Sequence, residues 1–248
     1  NKDKNPYNYV TGIKELWEIP DGRISAGTVY HTLGFPLGMN LFGGGWIYAQ
    51  SETQISMGLV TSLGYKDPRT DPHAEFQEYK RHPWVSSLLK DGRMVRYGAK
   101  TINEGGYFAM PKLYHDGLML VGESAGFLNS LRLKGIHLGM KSGMMAAEAA
   151  VKALANEDTS DASLKLYDDL FQNSWAKDEL WRVRNFHQPY EKGLLSGMVN
   201  TAAQLVSGGR GFVARMYSKP DHQYTSKLNA DVEYSKPIER KFDGELTF

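Results

Sequence analysis

The chain of 248 residues contains no cysteine. It therefore forms no disulfide, no thiolate zinc site and no iron–sulfur cluster with ligands of its own. It also has no apolar run near the roughly 20 residues that span a bilayer, which leaves only surface association with a membrane open. Its 29 basic residues nearly balance its 28 acidic ones. A net charge of +1 gives no broad cationic field, so we expect no nucleic-acid partner.

The composition is that of a folded globular chain, with 41% apolar and 23% charged residues. Short β-rich segments and amphipathic segments both occur, which predicts an α+β fold. Strands are predicted at 12–20, 28–38, 46–48, 55–62, 94–100 and 108–113. Helices are predicted at 72–89 with a break at Pro83, and at 135–150, 160–184 and 193–206. The last thirty residues are polar and are predicted to be extended.

A strand, an acidic loop and a helix of small residues follow one another in the middle of the chain. The wholly apolar run 118–121 predicts a strand buried on both faces, and Gly122-Glu123-Ser124-Ala125-Gly126 follows it. This order is typical of flavin sites, because a helix N-terminus stabilises negative charge on a flavin or phosphate. Gly135 would allow close approach, and Glu123 would accept hydrogen bonds from ribityl hydroxyls. The alternative is an ordinary strand–loop–helix unit whose glycines serve packing.

Other chemistry finds less support in the sequence. Ser124 lies in a Gly-x-Ser-x-Gly pattern, but about eight residues separate Gly126 from the helix, whereas a hydrolase elbow leads directly into one. His31, His82 and His137 are isolated and lack metal-ligand spacing, and the pair at 168–169 is typical of a solvated helix face. We therefore predict no catalytic side chain and no metal site.

An ordered set of short motifs resembles the electron-transfer flavoprotein–ubiquinone oxidoreductase family from about residue 9 to the end. The set comprises Gly12–Trp17, His31–Leu37, Phe42–Gly44, Glu75–Gln77 with Lys80–Pro83, Tyr97–Ala99, Asn103–Gly106, Pro111–Leu113, Lys134–Gly135 with His137, Met140–Gly143, Asn173–Trp175, Val183–Asn185, Pro237–Glu239 and Asp243–Gly244. No single motif decides the matter, whereas their order and spacing together are specific.

The resemblance implies a monotopic membrane flavoenzyme of the bacterial cytoplasmic membrane or the mitochondrial inner membrane. It would take electrons from reduced electron-transfer flavoprotein through FAD and a 4Fe-4S cluster to ubiquinone. Its fold would be part of a glutathione-reductase-like FAD domain packed with a β-sheet-plus-helix quinone domain. The implied cofactor residues are Gly122, Glu123, Gly135 and Ile136. The implied quinone residues are Gly43 and Gly44, for which the residues alone favour a turn or bulge instead. The implied membrane residues are Leu194, Leu195, Met198, Val199 and Leu205.

The sequence departs from the family in three places. It has no Gly-x-Gly-x-x-Gly after an early strand, it has none of the four cluster cysteines, and Ile136 replaces the usual Thr or Ser. We therefore expect a fragment of a longer chain or one subunit of a split enzyme, which alone binds FAD poorly and does not turn over. The predicted division is a quinone domain at 1–106, the C-terminal part of an FAD domain at 107–160, and a helical region with an extended tail at 161–248.

Two alternatives remain open at this stage. One is a related flavin-dependent reductase or monooxygenase-like protein, such as a prenyl reductase or a FixC-like protein. The presence or absence of a neighbouring iron–sulfur cluster domain would distinguish this alternative from an electron-transfer flavoprotein–ubiquinone oxidoreductase. The other is a non-catalytic membrane or protein interaction module. A failure to bind flavin with the missing segments restored would favour that module.

Overall fold

The computed structural model describes residues 3–227 and 243–247, so the motif at 237–239 and much of the predicted extended tail lie outside the described residues. The described chain forms two compact units. The first comprises residues 3–8 and 103–220, and the second comprises 9–102 with the C-terminal residues 221–227 and 243–247. Residues 107–160 and 161–220 both lie in the first unit.

The second unit is built on a five-stranded sheet with the order β2-β3-β4-β1-β5. Strands β2 and β3, β3 and β4, and β4 and β1 pair antiparallel. Burial alternates along β1 and β3, as expected for strands with one face on a core. The strands are β1 (Tyr9–Glu18), β2 (Val29–Thr32), β3 (Gly43–Ala49), β4 (Gln54–Ser62) and β5 (Arg93–Asn103).

Two short helices cover the core of this sheet, α1 (Pro72–Lys80) and α2 (Pro83–Leu89). The side chain of Asp71 caps α1 by accepting hydrogen bonds from two backbone N–H groups of its first turn. Pro83 begins α2, so the predicted helix is interrupted where we expected. The shared core of sheet and helices includes Trp17, Ile47, Ile55, Met57, Leu59, Phe76, Tyr79, Val85 and Leu89.

A buried ion pair lies within this core. The Lys80 side chain is 0% exposed, and its Nζ donates to both carboxylate oxygens of Glu15, at 2.9 and 3.0 Å. Trp17 Nε1 donates to the same carboxylate at 2.7 Å. The Lys80 ammonium also lies over the rings of Trp17 and Phe76, at 5.5 and 5.3 Å from their centroids. The carboxylate therefore has three donors in place of water.

The first unit is mainly helical, with a small hairpin. Its helices are α3 (Ile136–Ala155), α4 (Asp161–Gln172), α5 (Trp175–Arg182) and α6 (Leu194–Val206), and its hairpin strands are β6 (Tyr114–His115) and β7 (Leu118–Met119). Its core includes Met110, Leu113, Phe127, Leu138, Met145, Tyr167, Phe171 and Leu180. The predicted helix at 160–184 is two helices, because Asn173 ends α4 and Ser174 caps α5.

Two strand predictions in this unit were wrong. Residues 108–113 form no strand, because a 3₁₀ turn at Tyr107–Ala109 follows the left-handed Gly106 and leads into Pro111. The run 118–121 is not a strand buried on both faces, since only Leu118–Met119 is extended and both Leu118 and Val121 are exposed. Within the described residues only β6 pairs with this strand. The apolar composition predicted burial on both faces, and the described residues do not cover both faces.

Candidate functional site

The loop at 122–126 is held against the first turns of α3. Gly122 has a φ of +68°, and its N–H donates to Ser142 Oγ at 2.9 Å. Ser142 Oγ donates in turn to the carbonyl of Gly139 at 2.7 Å. A Cβ at Gly139 would lie 3.7 Å from the Cα of Gly122, so the loop and the helix are close neighbours. The structure thus brings two of the predicted cofactor residues, Gly122 and Glu123, to the beginning of α3.

Glu123 is half-buried and begins a 3₁₀ turn that ends at Ala125. One of its carboxylate oxygens accepts a hydrogen bond from the backbone N–H of Asn103 at 2.6 Å. Gly126, at φ +86°, closes the turn with a backbone bond to the Glu123 carbonyl. Glu123, the residue predicted to bind the ribityl chain, is therefore held by Asn103 at the end of β5. The sequence alone did not connect these two residues.

The N-terminus of α3 carries no side-chain cap. Gly135 occupies the N-cap position without a side-chain hydrogen bond, and the first turn contains no acidic residue. The first N–H groups of a helix have no partner within the helix, so this end offers donors and a partial positive charge. Ile136 is 83% exposed at the same end and contributes apolar surface instead of a hydroxyl.

A hydrogen-bonded network supports the linker between the loop and α3. Glu179 accepts hydrogen bonds from Asn129 Nδ2 at 2.7 Å and from His137 Nε2 at 3.0 Å. Burial alone would raise the pKa of Glu179, but the bonds from Asn129 and His137 lower it below its ordinary value. His137 also stacks on Trp175 with the rings 7° apart. Sequence reasoning treated His137 as isolated because its partners are distant in the chain.

The outer face of α3 is apolar and exposed. Its residues recur at helical spacing, so they form one stripe, while Leu138, Ser142, Met145 and Ala149 face the core. The stripe consists of Ile136, Met140, Met144, Val151 and Leu154, each at least 65% exposed. Helix α3 thus has an apolar face on the core and a second apolar stripe in contact with solvent.

The three glycines at 43–45 lie within strand β3, not in the turn or bulge that was the alternative explanation. Ser62 N–H donates to Phe42 O, so Phe42 and every second residue after it point their backbone N–H and C=O groups towards β4. Gly43 lies between two of these residues, so its N–H and C=O point to the opposite side, where β2 lies. On that side β2 ends at Thr32, which pairs with Gly45. No residue of β2 is therefore paired with Gly43, and its N–H and C=O lie at an edge position beyond the ladder.

Close packing also requires glycine in this segment. Gly43 has a φ of +155°, and a Cβ there would collide with the carbonyl of Val60. A Cβ at Gly45 would lie 2.5 Å from Tyr79 Cζ. The Tyr79 hydroxyl bonds to Thr32 Oγ1 at 3.1 Å beneath it. Packing thus explains why these positions lack side chains, and Gly43 itself is buried.

An apolar rim adjoins this edge. The loop that joins β2 to β3 exposes Leu33, Phe35 and Met39, and Leu37 Cδ1 lies 2.5 Å from the position of a Cβ on Gly43. Exposed apolar side chains that cluster in one loop indicate a surface that binds an apolar partner.

Helix α6 exposes its apolar side. Leu195 (69%), Met198, Val199, Leu205 and Val206 are exposed, and the helix contains no charged residue. Leu194 departs from the predicted membrane set, because it is only 8% exposed and packs inward with Gly197 and Gln204. None of the helices in the described part of the chain has both the length and the apolar character that crossing a bilayer requires.

Known proteins match this chain along nearly its whole length. Residues 9–102 match the family model described as ETF-QO, ubiquinone-binding. The electron transfer flavoprotein–ubiquinone oxidoreductase of Oryza sativa is 39% identical over 97% of this chain, and that of Pseudomonas aeruginosa is 37% identical over 100%. The chain spans 41% and 45% of the lengths of these two relatives.

A solved structure shares the fold. A geranylgeranyl bacteriochlorophyll reductase-like protein from Thermoplasma acidophilum superposes with a TM-score of 0.60 over 88% of this chain and 51% of its own, at 18% identity. The predicted α+β fold is confirmed. Over nearly its whole length the chain is thus similar to part of the electron transfer flavoprotein–ubiquinone oxidoreductases.

Proposed function

We propose that the protein passes electrons from reduced electron-transfer flavoprotein through FAD to ubiquinone. The match of residues 9–102 to a ubiquinone-binding family model carries this proposal. It is supported by relatives, both mitochondrial and bacterial, whose names describe the same reaction.

FAD would be held at the loop 122–126 and the N-terminus of α3. The uncapped N–H groups of the first turn of α3 would stabilise negative charge on the flavin. Glu123 keeps one carboxylate oxygen beyond its bond to Asn103, and that oxygen would accept from a ribityl hydroxyl. When bound, FAD supplies the redox chemistry, and this chain's residues bind and orient it. Ile136 has no side-chain hydroxyl that could tune the reduction potential of the flavin.

Ubiquinone would bind at Gly43 and Gly44. The N–H and C=O of Gly43 have no partner on β2, so a quinone ring that reaches this buried position would bond to them. The exposed rim of Leu33, Phe35 and Met39 would receive the apolar part of the molecule.

The exposed face of α6 would lie on a membrane as a peripheral, monotopic contact. It presents Leu195, Met198, Val199 and Leu205, and the basic residues Lys192 and Arg210 flank the helix. An uncharged apolar face with cationic ends suits the interface between lipid headgroups and acyl chains.

The visible absorption spectrum of the native protein tests the reaction. We expect oxidised-flavin bands that bleach with reduced electron-transfer flavoprotein and return on addition of a soluble quinone. A colourless protein, or bleached flavin bands that do not return when quinone is added, would contradict the proposal. For the quinone site, Leu33→Asp should raise the KM for quinone, while Leu118→Asp, an exposed apolar position of the other unit, should leave it unchanged.

Sedimentation with phosphatidylcholine–phosphatidylglycerol vesicles tests the membrane contact. Replacing Leu195 and Val199 by glutamate places two charges on the apolar face, so most of the vesicle-bound fraction should be lost. Leu118→Glu is the matched control. Equal binding of all three proteins would assign the face of α6 to a protein partner instead.

A further inference from the structure

A small cavity in the first unit is lined by polar side chains that the proposed reaction does not use. It lies between the segment 104–107, the linker residues Leu128 and Ser130, and the stretch from Leu180 to Gln188 that precedes α6. Five of its polar side chains are 4–5% exposed, so each has given up nearly all its contact with bulk water. They are Glu104, Ser130, Arg184, His187 and Gln188.

Three of these side chains have polar atoms without a hydrogen-bond partner among the described residues. The atoms are Glu104 Oε2, Ser130 Oγ, and both Oε1 and Nε2 of Gln188. A buried donor or acceptor that has lost water and found no partner destabilises the fold, and native proteins rarely leave several together. Here the three residues line one cavity and come from three separate segments of the chain.

The remaining polar groups of the lining do not satisfy them. Arg184 donates Nε to the carbonyl of Ala214 at 2.8 Å, and Nη1 to those of Trp181 and Gly209, at 2.9 and 2.5 Å. His187 Nδ1 lies 3.7 Å from Glu104 Oε2, which is an ion-pair distance but too long for a hydrogen bond.

We propose that this cavity is a binding site for ordered water that bridges Glu104, Ser130 and Gln188. Leu128, Leu180, Val183 and Phe186 contribute apolar walls and leave room for a water-sized molecule rather than an organic ligand. Water both donates and accepts, and so it can satisfy a carboxylate, a hydroxyl and both ends of an amide at once. Internal waters typically make about three such bonds to buried polar groups.

The bridge would connect three parts of the unit. Glu104 follows Asn103, whose N–H holds Glu123. Ser130 lies in the linker before α3, and Gln188 begins the 3₁₀ turn that leads to α6. The water would therefore fix the proposed flavin loop, its linker and the segment ahead of the proposed membrane helix relative to one another.

A crystal structure of the native protein that resolves ordered solvent tests the site directly. We expect density about 2.7–3.2 Å from at least two of the four atoms. Clearly shorter contacts with cation-like coordination would overturn the proposal in favour of a metal ion. An empty cavity, or side chains that turn to bond one another, would overturn it as well.

Unfolding equilibria provide a second test. Ser130→Ala and Gln188→Leu each remove one group that the water would bridge. The change in the unfolding constant of the double variant should therefore differ by at least about threefold from the product of the two single changes. Gln204 is a buried glutamine outside the cavity lining. Ser130→Ala with Gln204→Leu should therefore combine within about twofold. A multiplicative Ser130–Gln188 pair would contradict the water bridge.

Discussion

The ion pair between Glu15 and Lys80 should make both charges individually indispensable to the second unit. At 2.9 Å, with an effective dielectric constant of about 20, their gross attraction is about 6 kcal/mol, and desolvation of both groups opposes it. Burial lowers the pKa of Lys80, and the neighbouring Glu15 partly restores it. Removing one partner leaves the other charge buried beside Trp17 without its hydrogen-bonded counter-ion.

We therefore expect Lys80→Met and Glu15→Gln each to reduce the free energy of unfolding by about 3–5 kcal/mol. That is a large share of the roughly 5–15 kcal/mol that stabilises a domain. The double variant removes both charges, so it should lose at least about 2 kcal/mol less than the sum of the single variants.

Urea unfolding, followed by hydrogen exchange of peptides within β1 and β4, reports on this unit alone. Arg93→Met is the control, because Arg93 pairs with Glu18 at 2.7 Å with both side chains exposed, and its loss should change stability by less than about 1 kcal/mol. Additive single effects, or single effects as small as that of the control, would refute the argument.

Three further predictions concern single contacts. Gly58→Ala places a Cβ against the carbonyl of Ile13 and the ring of Trp46, and should destabilise by about 1–3 kcal/mol in urea unfolding, whereas Gly98→Ala meets no atom within 4 Å and should stay within about 0.5 kcal/mol. Tyr167→Phe leaves the Leu120 carbonyl without its 3.0 Å donor and should reduce the unfolding free energy by about 1–3 kcal/mol; an unchanged value would mean that water replaces the hydroxyl. Because the pKa of Glu179 is lowered in the folded state, its contribution is present above its ordinary pKa and is lost as pH falls through the folded value. The stability difference between the native protein and Glu179→Gln should thus shrink on acidification, and a difference that grows would contradict this sign.

The elements that could be predicted from sequence are those with strong local signals. Alternation and β-formers located the central strands, and Pro83 marked the division between α1 and α2. The long small-residue pattern from Gly135 located α3, and α6 was correct to within one residue. These patterns are local, so they survive without knowledge of the tertiary fold.

What could not be predicted depends on partners distant in the chain. The apolar run at 118–121 indicated a buried strand, but burial is a property of neighbours, and Leu118 and Val121 are exposed here. The same limit applied to His137, whose partners Glu179 and Trp175 lie about forty residues away in sequence. Leu194 shared the composition of the membrane set but faces inward, because one residue of offset turns a helical side chain by 100°.

The end of β2 has a consequence for what can bind beside it. Gly34, the residue that would oppose Gly43 if the ladder continued, has a φ of +91° and turns the chain away. One rung of the sheet thus has no residue of β2 opposite it, although Gly43 itself is buried. The turn at Gly34 ends the ladder one rung before Gly43. Under the proposed function a quinone carbonyl would bond to this rung, whereas one more residue of β2 would close it with the protein's own backbone.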